Sequence, residues 1–372
     1  MSSSEWAGRR IGLIGPLPPP SGGMANQTRQ LSKLLAAAGA SVTLVQVNAA
    51  YRPQWVAHLP ILRAFFRLIP YFCELWQVAG RCEIFHVMSN SGWSWHLFAA
   101  PAVWFGRLRG VAVVLNYRGG EAEKFLRRSS QIVRFTMRRV SVLTVPSGFL
   151  QHVFARYQMV SEIVPNIVDL NRFAPENRRQ VDVAHLVVAR NLEALYDNET
   201  AIRAYAIFHR AFPQSILTIA GTGPQESILR QLVTQLELDS HVRFSGRLEP
   251  EAMATLYQSA DLMLNPSLAD NMPNSLLEAW ASGLPVVSTN VGGIPFMTTD
   301  GVNVSLVRPG EPEEMAKACI QLMSNPDLWR ERARAGLLEA QRYTWKNVQP
   351  VLLGVYLRAI KKRDEKKAMT NW

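Results

Sequence analysis

Short apolar runs alternate with longer stretches that are apolar on one side only, the pattern of buried parallel strands separated by amphipathic helices. Ile11-Gly12-Leu13-Ile14-Gly15 reads as a buried strand, followed by a loop of Pro16, Pro18, Pro19, Pro20, Ser21, Gly22 and Gly23. From about Met24 the spacing changes to Leu31, Leu34, Leu35 and Ala38, one face of a helix, and Gly39 supplies its stop. Further strands are expected at residues 41–47, 111–115 and 142–145. After residue 183 the alternation restarts, with strands at 185–189, 216–220, 242–244, 262–264 and 285–288 and helices such as 200–212 and 226–236 between them. Two such cycles predict an α/β protein of two doubly wound, Rossmann-like domains facing a deep cleft, with ligand at the strand C-termini. The domains are expected at 1–165 and 184–345, with a turn-rich linker over 166–183 and a last segment over 346–372.

The length of 372 residues suits two domains of ordinary size. With 48% hydrophobic and 19% charged residues, the composition excludes a disordered chain, a collagen and a small disulfide scaffold. Cys73, Cys82 and Cys319 have no metal-type spacing, and residues 1–10 are polar and unlike a signal peptide. No apolar run reaches the roughly 18 residues of a membrane span. A cytoplasmic protein is therefore expected.

Charge is unevenly spread. The net is +12 over residues 1–165, −5 over 166–350 and +4 over 351–372. A basic first part suits an anionic partner, either a membrane surface or a phosphate-bearing acceptor. Residues 51–105 also hold 13 of the 34 Phe, Trp and Tyr residues. There Leu62, Phe65, Phe66 and Ile69 fall on one helical face beside Arg63 and Arg67, and Pro70 interrupts the pattern. With Arg127, Arg128, Arg134, Arg138 and Arg139 downstream, this fits a helix lying on an anionic bilayer. The alternative is packing inside the first domain. Trp93, Trp95 and His86 carry the same two readings, a lining of the cleft or core.

Several chemistries are excluded. The histidines form no close pair, no Asp-x-Asp occurs, and neither GxxxxGK[ST], GxGxxG nor GxSxG is present. The basic half carries no nucleic-acid recognition motif with interleaved aromatics on strands. The informative stretch is 265–285, where a strand ends near Pro266 and a helix runs from about Pro273, as its first-turn proline, to Gly283. The backbone amides of Asn271, Met272, Pro273 (its carbonyl only), Asn274 and Ser275 would surround a helix N-terminus, which favours anions and hydroxyl oxygens. Asp270 precedes the helix and Glu278 lies one and a half turns inside it, an offset able to hold two separate polyols. Their bland alternatives are an ordinary N-cap and a solvated helix residue.

This stretch resembles the Glu-x7-Glu region of family 4 glycosyltransferases, retaining enzymes of the two-Rossmann GT-B fold. Other motifs of that family occur in order along nearly the whole chain. They are the Gly22-Gly23 loop, Val164-Pro165-Asn166-Ile167-Val168-Asp169 with Phe173, and Val188-Ala189-Arg190-Asn191-Leu192. Then come Ile219-Ala220-Gly221-Thr222-Gly223-Pro224, Phe244-Ser245-Gly246-Arg247, and Gly292-Gly293-Ile294-Pro295 leading to Asp300-Gly301.

The resemblance implies a nucleotide-sugar donor, UDP- or GDP-linked, with no other cofactor and no metal. Glu278 would bind the ribose, Asp270 and the amides of 271–275 the transferred sugar, and Arg190 with Gly22 and Gly23 the diphosphate. Asn191 and Gly221 belong to the same donor-binding motifs, and Gly246, Arg247 and Leu248 would lie beside the base. It also implies an N-terminal acceptor-binding domain, a C-terminal donor-binding domain, and a last helix that crosses back to carry its basic tail beside the first. Four positions depart from the pattern: Asp270 for the usual Glu, Leu195-Tyr196 where a lysine is common, Phe296 after the glycine pair, and Arg118 where the first-domain loop often has His-Gly. The expected activity is sugar transfer to a glycan or lipid-linked acceptor at the inner face of the cytoplasmic membrane. The alternative is a catalytically weak glycosyltransferase-like subunit that binds membrane or a partner enzyme.

Overall fold

A computed structural model of the chain describes residues 5–19, 22–49, 59–175 and 183–370, without the side chains of 60–64 and 370. The expected loop residues Pro20 and Ser21, part of the linker, and the Leu62 and Arg63 side chains lie outside the described residues. The chain divides into two compact units, Met1–Pro165 with Val348–Trp372, and Asn166–Asn347.

The first unit runs β1 (Arg10–Gly15), α1 (Gly23–Ala37), β2 (Ser41–Gln46), α2 (Pro60–Ala79), β3 (Ile84–Ser89), a π-helical turn (Trp95–Ala99), α3 (Ala100–Leu108), β4 (Ala112–Tyr117), α4 (Ala122–Met137), β5 (Val142–Val145), α5 (Gly148–Arg156) and β6 (Glu162–Ile163). Its strands form a parallel sheet in the order β2-β1-β3-β4-β5-β6. Every residue of β3, β4 and β5 is buried, so these strands carry no apolar–polar alternation. Two glycines let the Phe85 ring fill the layer: a Cβ on Gly12 would lie 2.8 Å from it, and one on Gly106 would lie 3.1 Å from it. The sequence places a strand ahead of His86, without bounds. In the structure His86 lies within that strand and is fully buried. Burial and the nearby Arg118 charge push its pKa down to about 3, so it is a neutral core histidine. Pro70 does not end a helix, since α2 runs through it. Trp95 is core, while Trp93 is 78% exposed.

The second unit runs β7 (His185–Ala189), α6 (Asn198–Ala211), β8 (Ile216–Ala220), α7 (Glu226–Gln235), β9 (Val242–Gly246), α8 (Pro250–Ser259), β10 (Leu262–Asn265), α9 (Asn274–Ala281), β11 (Val286–Thr289), β12 (Ser305–Val307), α10 (Pro312–Met323) and α11 (Pro326–Gln341). A second parallel sheet has the order β12-β11-β10-β7-β8-β9. The chain reverses direction across this sheet between β7 and β10, the place where such folds hold ligands. Helix α11 crosses α9 at Gly336, where a Cβ would lie 2.3 Å from the Trp280 ring.

The last helix, α12 (Trp345–Thr370), belongs to the first unit from Val348 onward. Val348, Leu352, Val355, Tyr356 and Ala359 bury one of its faces. The Tyr356 hydroxyl meets His86 Nδ1 at 2.9 Å, Arg358 pairs with Glu162, and Arg363 Nη1 donates to the Glu83 carbonyl at 3.2 Å. These contacts explain why a C-terminal segment completes an N-terminal unit.

Candidate donor site in the second unit

Arg190 follows β7 directly, and its place is set by backbone pairing beyond the strand. Arg190 N donates to Ala220 O at 3.1 Å and Leu192 N to Thr222 O at 3.1 Å. The two segments run so close that a Cβ on Gly221 would lie 1.9 Å from Arg190 O, and one on Gly223 would lie 2.3 Å from Leu192 O. Gly221 therefore acts as a spacer beneath Arg190. Gly221→Ala should shift the Arg190 backbone and destabilise the fold by about 1–3 kcal/mol. A thermal melt checks this, with a lower Tm expected.

The Arg190 side chain is held on three sides. Nε donates to Asn265 Oδ1 at 2.8 Å, Nη2 lies 2.6 Å from Asp270 Oδ2, and the guanidinium carbon sits 5.4 Å from the Tyr196 ring centroid. The ion pair is largely withdrawn from solvent, its two side chains being 10% and 13% exposed. Burial raises the Asp270 pKa, and the Arg190 charge restrains that rise. Asp270 is thus an ion-pair partner rather than a helix N-cap; Pro273 holds the N-cap position of α9, one residue before the helix that the sequence led us to start with it.

The loop that carries Asp270 is clamped from two directions. Gly293 N donates to Asp270 O at 2.8 Å, and Gly292 has φ +54° with its missing Cβ only 2.1 Å from that same oxygen. This close backbone approach is what the glycine pair provides. On the other side Asn166 Nδ2 donates to Met272 O at 2.8 Å and to Asn274 Oδ1 at 2.7 Å. The Pro-Asn motif read as linker therefore ties down the loop ahead of α9.

Glu278 is half-buried on α9 and accepts a hydrogen bond from Tyr257. Burial pushes its pKa up to about 7, against the opposing Arg190 charge, the Tyr257 bond and the Arg172 charge. One guanidinium therefore stands in the field of two carboxylates. Asn271 N donates to Asp270 Oδ1 at 2.9 Å, so that amide already has an acceptor. Ser275 Oγ, in the first turn of α9, is buried without a partner. A helix N-terminus with a buried hydroxyl and a neighbouring ion pair is a polar surface suited to sugar hydroxyls and phosphate oxygens.

The other expected residues fall in different places. Gly246 has φ +68° at the end of β9, and Arg247 after it reaches Thr222 Oγ1 at 3.5 Å, beside the Gly221–Gly223 turn. Leu248 is half-buried, whereas Asn191 is exposed and bonds Glu193. Gly22 and Gly23 belong to the first unit, where Gly22 is the extended N-cap of α1. A Cβ on Gly22 would meet nothing within 4 Å, so packing does not require glycine there. Sequence reasoning missed Asn265, Tyr257 and Asn166 as positioning residues. Asn166 had a signal in the Pro-Asn motif and Asn265 in opening the informative stretch, whereas Tyr257 had none. Among the described residues no group of three or more His, Cys, Asp or Glu side chains is placed to hold a metal ion.

The two parallel six-stranded sheets with their covering helices define a fold class, the two-domain GT-B fold. Residues 21–172 match the family described as Glycosyltransferase Family 4, and residues 185–325 match Glycosyl transferases group 1. These regions of the chain thus carry the two glycosyltransferase domains. A D-inositol 3-phosphate glycosyltransferase of Segniliparus rotundus is 28% identical over 62% of this chain and 54% of its own length. That of Mycobacterium leprae is 32% identical over 52% of this chain and 48% of its own. The matches thus span about half the length of these curated relatives. Among solved structures, sucrose-phosphate synthase of Thermosynechococcus elongatus superposes with a TM-score of 0.74 at 20% identity, over 94% of this chain and 98% of that one. Anabaena HepE, solved with UDP and glucose, gives 0.70 at 17% identity over 92% and 98%.

Proposed function

We propose that the chain is a retaining glycosyltransferase, moving a sugar from a UDP- or GDP-linked donor to a hydroxyl of a glycan or lipid-linked acceptor. The observation that carries this reading is the Arg190–Asp270 pair at the ends of β7 and β10, beside Glu278 on α9. In the reaction the bond from the anomeric carbon to the diphosphate oxygen breaks, and a bond to the acceptor oxygen forms on the same face. The acceptor proton leaves on the departing phosphate. Glu278 holds the ribose, Asp270 orients the transferred sugar, and Arg190 with the α9 N-terminus carries the charge of the leaving diphosphate. This assigns the charge compensation to fixed groups of the chain and needs no metal. HepE, which shares the fold, binds UDP and glucose, which supports a UDP-sugar donor.

The test is a thermal-shift screen of nucleotides and nucleotide sugars followed by a donor-hydrolysis assay. A ligand at 100 times its dissociation constant stabilises by about 2.7 kcal/mol. Chelator should leave hydrolysis intact; activity lost with chelator and restored by magnesium overturns the metal-free reading.

We further propose that the first unit rests on the inner face of the cytoplasmic membrane. No helix among the described residues is long and apolar enough to cross one. On α2, Phe65 and Ile69 are 57% exposed and Phe66 41%. Arg67 donates to the Ala49 carbonyl. Arginines elsewhere stack on aromatic rings, Arg109 on Trp76 at 4.5 Å and Arg139 on Trp104 and Phe135 at 4.2 and 4.0 Å. Apolar area with basic groups suits an anionic bilayer, where each basic side chain contributes about 1 kcal/mol. The protein should sediment with vesicles containing acidic lipid and not with neutral ones. Replacing Phe65, Phe66 and Ile69 by serine should release it while UDP binding stays unchanged. Equal recovery of both proteins in the supernatant, at low salt with acidic vesicles, removes the membrane from the reading.

A further inference from the structure

A cavity of about 260 Å³ opens at the N-terminal edge of the first sheet, where β5 and β6 begin. Doubly wound folds hold their reacting ligands at the opposite, C-terminal edge, so an occupant here stands apart from sugar transfer. The apolar part of its lining is Met137, Leu143 and Met159, all buried. The charged part is Arg134 in the last turn of α4, Arg138 at the C-cap of that helix, and Lys362 on α12. At this volume, below the roughly 300–1,000 Å³ of sites for drug-sized ligands, the cavity suits a small charged group.

The three cations are uncommitted. Among the described residues their side chains make no hydrogen bond or ion pair, whereas the basic residues around them do. Arg139 donates to the Phe135 carbonyl, Arg156 pairs with Glu123 at 3.0 Å, and Arg358 pairs with Glu162. Nor does the end of α4 need Arg134 and Arg138 as caps. Its last carbonyls are taken by backbone amides, Arg134 O by Arg138 N at 3.1 Å, Thr136 O by Arg139 N at 2.9 Å and Met137 O by Val140 N at 3.0 Å. Glu162 is the one carboxylate in the lining, and Arg358, one turn before Lys362 on α12, already neutralises it. Two neutral donors complete the lining. Ser141 Oγ accepts from Val113 N at 3.2 Å, which leaves its own proton for another acceptor, and the Gln158 amide is likewise uncommitted among the described residues. Three positive charges, two further donors and no open carboxylate suit a phosphate monoester, whose dianion takes more of them than a singly charged carboxylate can.

We propose that this cavity is a second anion site, separate from the donor site, that holds the phosphate of a monoester between α4 and α12. It does not depend on the donor reading, since every residue in it belongs to the first unit. An occupant would join the end of α4 to the C-terminal helix and so tighten the seat of α12 on the sheet.

The test uses the full chain, with and without saturating UDP, in calorimetric titrations at constant ionic strength. The probes are glycerol 3-phosphate, dihexanoyl phosphatidic acid and acetate. The two phosphate monoesters should bind more tightly than acetate by about tenfold or more, and saturating UDP should leave that affinity unchanged. Tighter binding of the lipid than of glycerol 3-phosphate assigns the phosphate to a lipid, and equal binding assigns it to a soluble ester. The variant Arg134→Gln with Arg138→Gln and Lys362→Gln should lose the same factor of about ten or more, with UDP affinity unchanged. A control that removes equal charge from the same two helices, Arg127→Gln with Arg128→Gln and Lys361→Gln, should keep native affinity. Any of three results overturns the proposal: acetate binding as tightly as the esters, ester binding displaced by UDP, or equal losses in the two triple variants.

Discussion

Replacing Arg190 by alanine is expected to lower sugar transfer by about two orders of magnitude or more, the scale seen when a single fixed donor to a developing anion is removed. The structure adds a second consequence. Asp270, its side chain 13% exposed and paired with Arg190, would be left as a largely buried charge without its partner, which costs about 3 kcal/mol of stability. That loss should shrink as pH falls, because Asp270 escapes it by taking up a proton. The double variant Arg190→Ala with Asp270→Asn should therefore recover the melting temperature without recovering transfer. Full activity in Arg190→Ala removes the residue from the leaving-group role, and recovery of both properties in the double variant shows its role to be structural.

Glu278→Gln should weaken donor binding by roughly 1.5–3 kcal/mol, since it removes charge-assisted bonds to the ribose while keeping the side-chain volume. The pKa near 7 adds a pH signature. If ionised Glu278 is the form that accepts the ribose hydroxyls, UDP affinity rises from pH 6 to pH 8 in the native protein and is flat in the variant. The stability effect has the opposite sense. The folded-state pKa lies above the unfolded value, so protonation of Glu278 favours folding fully below about pH 4.5. That contribution is lost as pH rises through about 7. Glu278→Gln should accordingly be more stable than the native protein at pH 8 and differ least near pH 4. Calorimetric UDP titrations and thermal melts across this range check both slopes, and a flat native binding profile would mean that Glu278 does not meet the ribose.

The distinction between Phe65 and Trp95 shows how far sequence carries. Both stand in the same aromatic-rich stretch, yet Trp95 is sealed beside Phe125 at 6.3 Å while Phe65 faces solvent. Burial of a single aromatic depends on what lies opposite it, which no local pattern encodes. The Asp270 loop makes the same point for the site. Its stretch stood out through a helix with a proline at its start and Gly283 at its end, but the partner of Asp270 lies 80 residues earlier in the chain.

The sequence alone determined the alternation of strands and helices, because buried parallel strands need unbroken apolar runs and their covering helices need a one-sided apolar face. It also placed Asp270 and Glu278 among the residues of interest, since a first-turn proline and a closing glycine mark their helix locally, and Arg190 through its resemblance to a family motif. Only the tertiary structure decided that Arg190 and Asp270 are an ion pair, that the Glu278 carboxyl is buried enough to hold its proton near neutrality, and that Gly221, Gly292 and Gly293 are spacers. It also drew α12 into the first unit, through contacts such as Tyr356 with His86 across 270 residues. The reason is common to all of these: ion pairing, desolvation and close backbone approach act through space between segments far apart in the chain, whereas helix and strand patterns act through neighbours along it.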